Sequence, residues 1–584
     1  MIQPEFKPLS QILSDKLFKI PEYQRHYSWG SKQRKELFSD IIALQDAVGK
    51  NPDRIHFMAT VVCLQTAERE AVGSNAFTVF EVVDGQQRIT TLVILLKAIA
   101  LHLAKDAGTE DEAREIDKLL VKGDKRLIIL QNNHDNRSIL RNYLEAGVVP
   151  TKDHIKTEAD ENLRDAIEEC QEFVAKGEDI ITLLSLIKNQ LYLIFQALTD
   201  KGAVYTIFEV LNSRGLEVDW LDKCKSMLMG ILYENSGVQD GPDRFEAILN
   251  ELHAVWSEIY RQIGLRGIRG EEIVRFAATL QTESNSGRPL SAEDSLEYFR
   301  SDSCRDNGDS GKVIDKVIRN TYWLREVVAC LAKLYDDKRR NAVTAITQAR
   351  LLAVAIMMRN DLSDDERSYL LNQWERTTFR IYGLLRKDSR TRVGDYVRAA
   401  KRIQRDSDSS MKDLIRTIVD IGAGFTIDEA VEELNRLDSY MDWQTELRYF
   451  LYRYEEHLSE SAKSEMNAEL WIEVWRASAS NTIEHVLPQE YGQPGWEHFS
   501  QDQHNECLHV LGNLCILPPS LNSKAGVKPF AEKKEVYRMT KLRMMDGIMN
   551  KDDGSDREVW DSEIIKERTK MLIEFARNQW SDLS

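Results

Sequence analysis

FEVVDGQQRITTLVILL, Phe80 to Leu96, reads as an apolar strand, a tight turn at Asp84-Gly85, two amides and an arginine at Gln86, Gln87 and Arg88, and a helix opening at Thr90-Thr91. A turn glycine lets the backbone approach a ligand closely, and a new helix offers unpaired N–H groups to an anion. The stretch therefore predicts a phosphate site at a strand end, where α/β ligand sites usually lie. In that reading Arg88 forks onto phosphate oxygens, Gln86 and Gln87 read a base or sugar, and Asp84 holds a metal or orients a water. The competing reading is a capped strand-to-helix turn with Arg88 in a structural salt bridge. A Walker A loop is excluded, because its lysine and glycine spacing are missing.

Upstream, Pro21, Tyr23, Arg25, Tyr27 and Trp29 form an extended aromatic and basic segment, followed by a helix from about Ser31. Arg25 and Trp29 can flank a bound base, or Trp29 can pack at a strand end. HFMATVVCLQT at 56–66 is β-branched and apolar and leads through a polar turn at Gly73-Ser74 into the strand before Asp84. Downstream, helical periodicity runs from Thr91 to about Leu120, and 151–200 reads as two helices. A second polar interruption follows at Asn212, Ser213, Arg214 and Gly215. It can add Asn212 or Arg214 to the same ligand or serve only as a helix exit, and Asp219 then caps a helix carrying Asp222 and Lys225.

From 240 to 460 the chain reads as almost wholly helical, with breaks near 281–292, 304–312 and 421–426. One stretch of it, LLRKDSRTRVGDYVRAAKRIQR at 384–405, is basic and is the best candidate for contact with a phosphate backbone. Near the C-terminus, NTIEHVLPQEY at 481–491 places Glu484 and His485 on a strand stopped by Pro488. Asn513 opens another apolar segment, and Asn522 follows in a polar turn or helix. Glu484 and Asn522 offer oxygen ligands to a hard cation, and a neutral His485 is suited to take a proton from water. Together they predict a one-metal phosphodiesterase with Asn513 bracing the loop. A zinc alternative would use His504, Cys507, His509 and Cys515, whose spacing matches no standard knuckle.

With 584 residues the chain is long enough for two to four domains. Its net charge of -17 argues against non-specific coating of nucleic acid, yet a local basic face still binds it because screening hides distant charge. Seven scattered cysteines without a CxxC pair suit a reducing compartment. The longest apolar run, at 351–358, is far too short to span a membrane. A soluble, cytoplasmic protein is expected.

Arg25-x-Tyr27-x-Trp29, Asp84 to Leu92 and FEVLNSRGLEV at 208–218 together resemble the DUF262 family. IEHVLPQ at 483–489, LGNLCIL at 511–517 and LNSKAGVKPFAEKK at 521–534 resemble the DUF1524 family of HNH nucleases. The combination is similar to GmrSD-like type IV restriction enzymes and to the SspE and BrxU phage-defence nucleases. The resemblance implies an α+β, mostly helical chain. A ParB/sulfiredoxin-like nucleotide-binding domain would occupy residues 1–235, a helical middle 236–435, and a ββα-metal HNH nuclease 436–584.

It further implies that Asp84, Gln86, Gln87 and Arg88, with Gly85 and Thr90 in the same turn, bind and hydrolyse a nucleoside triphosphate, GTP or ATP. Glu484, His485 and Asn522 would form the nuclease centre with Mg²⁺ or Mn²⁺, and Asn513 would organise it. Many such sites begin Asp-His, whereas this chain has Glu484-His485. The implied partners are double-stranded DNA, including modified phage DNA, and a second copy of the chain. The expected function is a nucleotide-regulated, metal-dependent DNA endonuclease or nickase in phage defence. The alternative is a nucleotide-binding regulatory or toxin-like protein whose nuclease domain is inactive or acts on RNA.

Overall fold

The alternation of apolar and polar residues that ends at Asp84 is realised as a mixed sheet in a computed structural model of the chain. It describes residues 4–581 except 15, 52–53, 73–74, 123–126, 133–137, 152–153, 200–218, 236–240, 285, 306–308, 338–339, 341–342, 344–345, 437–439 and 442. The chain divides into two compact units, residues 1–282 with 290–332, and residues 283–289 with 333–584. Helix predominates in both.

The first unit contains strands β1 (Glu5–Pro8), β2 (Lys16–Ile20), β3 (His56–Val72), β4 (Asn75–Asp84), β5 (Val121–Lys122), β6 (Leu127–Ile128), β7 (Leu130–Asn132) and β8 (Leu191–Leu198). Six of them form one sheet in the order β1-β8-β3-β4-β2-β7, while β5 and β6 pair separately. The hairpin expected on either side of Gly73-Ser74 is β3 and β4, antiparallel with Val62 opposite Asp84. Residues 191–198 were expected to be helical; they form β8, parallel to β3 with Val61 opposite Phe195. LYLIFQAL alternates buried and half-buried side chains, so its period is two rather than 3.6, and a run that short is easily absorbed into the preceding helix.

Helix Gln86–Leu103 lies at the heart of the unit, with 15 of its 18 residues buried. Leu92 to Leu96 have no exposed surface, so this helix is apolar on every side rather than amphipathic. It also begins four residues earlier than Thr90, which the sequence suggested as its opening. Gly85 adopts a left-handed φ of 87° and turns the chain directly into the helix. The Thr90 and Thr91 hydroxyls then donate to the carbonyls of Gln86 and Gln87, each at 2.8 Å, which is back-bonding within a helix and not capping.

The second unit is helical up to strands β9 (Ile483–His485) and β10 (Leu514–Ile516), which pair antiparallel with His485 opposite Leu514. Helix Pro519–Ala525 follows β10. Arg380, fully buried in the π-helix Phe379–Leu384, donates to the carbonyls of Phe425 at 2.8 Å and Trp580 at 3.0 Å. Buried Glu375 accepts from Tyr449 and faces Arg453 at 3.6 Å. These polar links tie the end of the last helix, Ser562–Gln579, to the helical layer. Among the described residues no helix is long and apolar enough to cross a membrane.

Candidate functional site

In the first unit the turn is shaped by lack of space. A Cβ on Gly85 would lie 3.0 Å from Val61 Cγ2 and 3.2 Å from the Thr60 carbonyl, and the φ of 87° already disfavours any side chain. The two amides after it do different work. Gln87 Oε1 accepts from the Ser28 N–H at 2.9 Å and its Nε2 donates to the His26 carbonyl at 3.0 Å. Gln87 thus fixes the 26–28 segment over the helix start instead of facing a base. Gln86 Oε1, by contrast, is buried with no hydrogen-bond partner among the described residues, an unsatisfied acceptor.

Arg88 makes no ion pair or hydrogen bond among the described residues. Burial lowers its pKa, and Asp84 opposes that effect. The structural salt bridge considered for it is not formed among the described residues. Burial raises the Asp84 pKa, the Gly85 N–H, Arg88 and Arg25 pull it back, and Asp222 adds to the rise. Arg25 Nε lies 3.2 Å from Asp222 Oδ2, and Asp222 Oδ1 accepts from Tyr260 at 2.6 Å. Asp219 caps helix Trp220–Glu234 through the Leu221 N–H at 2.9 Å, and burial followed by Asp222 raises its pKa.

Lys225, one helical turn beyond Asp222, donates to the Tyr23 carbonyl at 2.6 Å, and burial pulls its pKa down to about 7. Trp29 packs half-buried against the core, and its carbonyl accepts from Arg34, which pairs with Glu169 at 2.8 Å. Asn212 and Arg214 lie outside the described residues. The turn residues Asp84 and Arg88 are thereby brought together with Arg25, Asp219 and Asp222. Sequence reading named Asp222 and Lys225 only as passengers of a helix, although their spacing from Asp219 puts all three on one face. Nothing in the sequence marked Tyr260.

In the second unit the hairpin is built on Asn513, which is completely buried. Its Oδ1 accepts from the Leu487 N–H at 2.8 Å and Trp560 Nε1 at 3.3 Å, while Nδ2 donates to the carbonyls of Leu508 at 2.8 Å and Leu487 at 3.2 Å. All four hydrogen-bonding positions of the amide are engaged, as expected of a brace. Asn522 Nδ2 donates to the carbonyls of Asn481 at 3.0 Å and Ile483 at 3.2 Å. Since a carbonyl can only accept, the orientation of this amide is fixed and Oδ1 is left as the acceptor.

Glu484 and His485 leave β9 on opposite faces, as successive strand residues must. Glu484 Oε1 accepts from Lys533 Nζ at 2.7 Å and from Tyr537 at 3.0 Å, both buried. Burial raises the Glu484 pKa and Lys533 opposes the rise. Lys533 also donates to the His485 carbonyl at 2.6 Å. On the other face, His485 Nε2 lies 3.0 Å from His509 Nδ1, and the Tyr440 ring meets His485 edge-on at 4.5 Å while stacking on His509 at 5.4 Å. Burial, then His509 and Lys533, push the His485 pKa down to about 3, so this imidazole is neutral at pH 7.

Among the described residues no three His, Cys, Asp or Glu side chains are placed to share a metal. The zinc alternative thus fails: His504 Nε2 sits 2.8 Å from the Pro488 carbonyl and His509 is turned to His485. A hard cation needs less from the protein. One carboxylate oxygen and one amide oxygen suffice when water and a substrate phosphate complete the shell. Glu484 Oε2 and Asn522 Oδ1 are of that kind and border the same strand. Their chemistry fits Mg²⁺ or Mn²⁺, although the Lys533 ammonium offsets the charge of the carboxylate.

The family model of the GmrSD restriction endonuclease N-terminal domain matches residues 9–229, and that of the C-terminal domain of the same endonucleases matches residues 425–575. The chain belongs to the GmrSD restriction endonuclease family. No curated protein matches it. The GmrSD N-terminal match spans the Gly85 turn and every strand of its sheet except β1, and the C-terminal match spans β9, β10 and the helix after them. Lys533, Tyr537, Trp560 and His509 were not singled out beforehand as partners of the hairpin. Lys533 falls within FAEKK, where it and Lys534 share a buried helix face with Phe530 and Tyr537, and a lysine pair at core positions was the available signal.

Proposed function

We propose that the chain is a nucleotide-regulated, divalent-metal-dependent DNA endonuclease or nickase that acts against phage carrying modified DNA. The observation that carries this reading is His485, a buried neutral imidazole on a strand whose exit loop is held by all four bonds of Asn513. The order β9, β10, helix Pro519–Ala525 supports a ββα-metal HNH arrangement within a nuclease domain at 436–584. The sheet ending in the Gly85 turn supports a ParB/sulfiredoxin-like nucleotide domain at 1–235, with a helical domain between them.

His485 and His509 share one hydrogen between Nε2 and Nδ1. When His485 is the donor, its Nδ1 keeps the lone pair that takes a proton from the attacking water. Asn513 fixes the loop from which His485 acts, and Lys533 holds the His485 carbonyl and so the strand. Glu484 and Asn522 would hold Mg²⁺ or Mn²⁺, which when bound polarises the scissile phosphate and stabilises the leaving oxygen. In the first unit Arg88, without a protein partner among the described residues, would meet the triphosphate of GTP or ATP, and Gln86 Oε1 would accept from its sugar or base. Asp84 would hold a metal or orient the water for hydrolysis.

The test is a nicking assay on plain, glucosylated-hydroxymethylcytosine and phosphorothioate DNA, with Mg²⁺ or Mn²⁺ and each nucleotide, for the native chain and His485→Ala. Cleavage lost in the variant is expected; intact DNA under every condition, with equal phage sensitivity of both, refutes the reading. One observation favours a second reading. Lys533 neutralises the carboxylate that would ligate metal, as in a regulatory protein whose nuclease domain is inactive or RNA-directed. Nucleotide binding that depends on Arg88, without DNA cleavage, would select it.

A further inference from the structure

The second unit contains a cavity of about 720 Å³ far in sequence from the hairpin, lined by Ser286, Gly287, Arg288, Pro289, Arg390, Val393, Gly394 and Arg398. Three of its lining residues are arginines, in a protein with a net charge of -17. Arg398 Nη1 lies across two glycines. A Cβ on Gly287 would stand 2.6 Å from it and one on Gly394 3.0 Å, so the guanidinium rests where any side chain would displace it. The opposite wall is fastened by Lys401, whose Nζ donates to the Ser284 carbonyl at 2.8 Å and the Ser286 carbonyl at 3.4 Å, which places Arg288 beside the helix.

The loop that brings Arg390 is equally fixed. Gln348 Nε2 donates to the Ser389 carbonyl at 2.6 Å, and Arg386 and Arg392, with φ of 50° and 58°, hold left-handed conformations unusual for arginine. Beyond the cavity, helix Val393–Arg405 turns Arg398, Arg402 and Arg405 to one exposed face, while Val397, Ala400 and Ile403 face the core. The neighbouring carboxylates only partly offset this charge: Asp388 pairs with Arg390 at 3.1 Å, and Asp395 with Arg398 at 2.7 Å and Arg392 at 3.2 Å.

We propose that this cavity and helix face dock the phosphate backbone of duplex DNA. The charge and the spacing both suit that partner. At 1.5 Å per residue, Arg398 to Arg405 spans about 10 Å, which covers about three phosphates of one strand at 3.4 Å of axis each. The contacts are to oxyanions alone, so binding is independent of base sequence, and they hold the substrate without touching the reacting atoms. The inference rests on the nuclease reading above and adds to it the surface that carries the substrate.

The experiment measures anisotropy of a labelled duplex against salt, using the full-length chain in a His485→Ala background so that the probe survives. Arg398→Gln/Arg402→Gln/Arg405→Gln removes three phosphate contacts and is expected to flatten the log K versus log salt slope by about 2.7. Between 50 and 200 mM salt that is about a 40-fold smaller loss of affinity. The corresponding triple Lys variant restores the slope, and Arg416→Gln, an exposed arginine on helix Met411–Val419, leaves it unchanged. Inorganic triphosphate and duplex RNA compete in parallel. An unaltered slope in the triple Gln variant, with native protein that still cleaves DNA, overturns the docking surface and leaves the nuclease reading intact. Tighter binding of triphosphate or RNA than of DNA at this face also overturns it. Loss of slope in a chain that binds but never cleaves supports the surface and defeats the nuclease reading.

Discussion

Lys533→Met tests the physics of the hairpin most directly. The substitution keeps the length and packing of the side chain but strips Glu484 Oε1 of the ammonium at 2.7 Å and the His485 carbonyl of its donor at 2.6 Å. Both partners are buried, so neither loss is made good by bulk water. The orphaned carboxylate escapes by taking up a proton. Against an ordinary pKa of 4.5, a carboxyl held protonated at pH 7 costs at most about 3.4 kcal/mol at 1.36 kcal/mol per unit, less the part that burial already exacts in the native chain. The unmade bond to the carbonyl adds about 1 kcal/mol, so the total is at most about 4–5 kcal/mol.

The sign also fixes a pH signature. Burial already raises the folded-state pKa of Glu484 in the native chain, and loss of the opposing Lys533 raises it further, so the folded variant binds more protons than its unfolded form over a wider range than the native chain does. The stability of the variant is then highest below pH 4.5 and falls as pH rises more than that of the native chain does, by at most about 2.7 kcal/mol between pH 5 and 7. Hydrogen exchange of peptides covering 481–489 and 511–518 in the full-length chain reads this locally. Glu484→Gln/Lys533→Met should abolish the pH dependence and recover most of the loss. A cost for Lys533→Met below about 1 kcal/mol, or one that does not change with pH, refutes the assignment of Lys533 as the counter-ion of Glu484.

Gly85→Ala should lower the stability of the first unit by about 1–2 kcal/mol, since a left-handed residue gains a Cβ against the Thr60 carbonyl; thermal unfolding checks it, and an unchanged midpoint refutes it. Lys225 has a folded-state pKa lowered from 10.5 to about 7, so its penalty is complete below about pH 7 and is relieved as pH rises toward 10.5. Urea titrations should therefore show the native chain gaining stability between pH 7 and 10 relative to Lys225→Met, and equal pH profiles for the two refute the burial of a charged lysine.

What the sequence made legible followed from local chemistry. Glycine after Asp84 announced the turn and Asn513 between apolar runs announced a brace, whereas β9 ends at His485, short of the Pro488 expected to stop it. Asp219 before Trp220 announced a cap. What it concealed depends on residues distant in the chain. The Tyr260 hydroxyl on Asp222, the Lys533 ammonium on Glu484 and the Trp560 indole on Asn513 join positions 38, 49 and 47 residues apart. No local period encodes them. Gln87 is a further case, since the backbone groups that bind its amide belong to Ser28 and His26, about sixty residues earlier. The start of the central helix was misplaced for a related reason. Threonines are common caps, and only their back-bonding to Gln86 and Gln87 shows them inside a helix already under way.

The burial of helix Gln86–Leu103 on every side gives that element a mechanical character. A surface helix can roll or slide into solvent when one end is pulled; this one, about 27 Å long, has packed neighbours in every direction. A ligand drawn against Gly85 thus acts on the end of a rod clamped along its length. Whatever displacement the turn undergoes must either be absorbed within the first helical turn or move the core of the unit as a body. The turn is a poor place for a soft, adaptable pocket and a good one for a contact that is either made or not made.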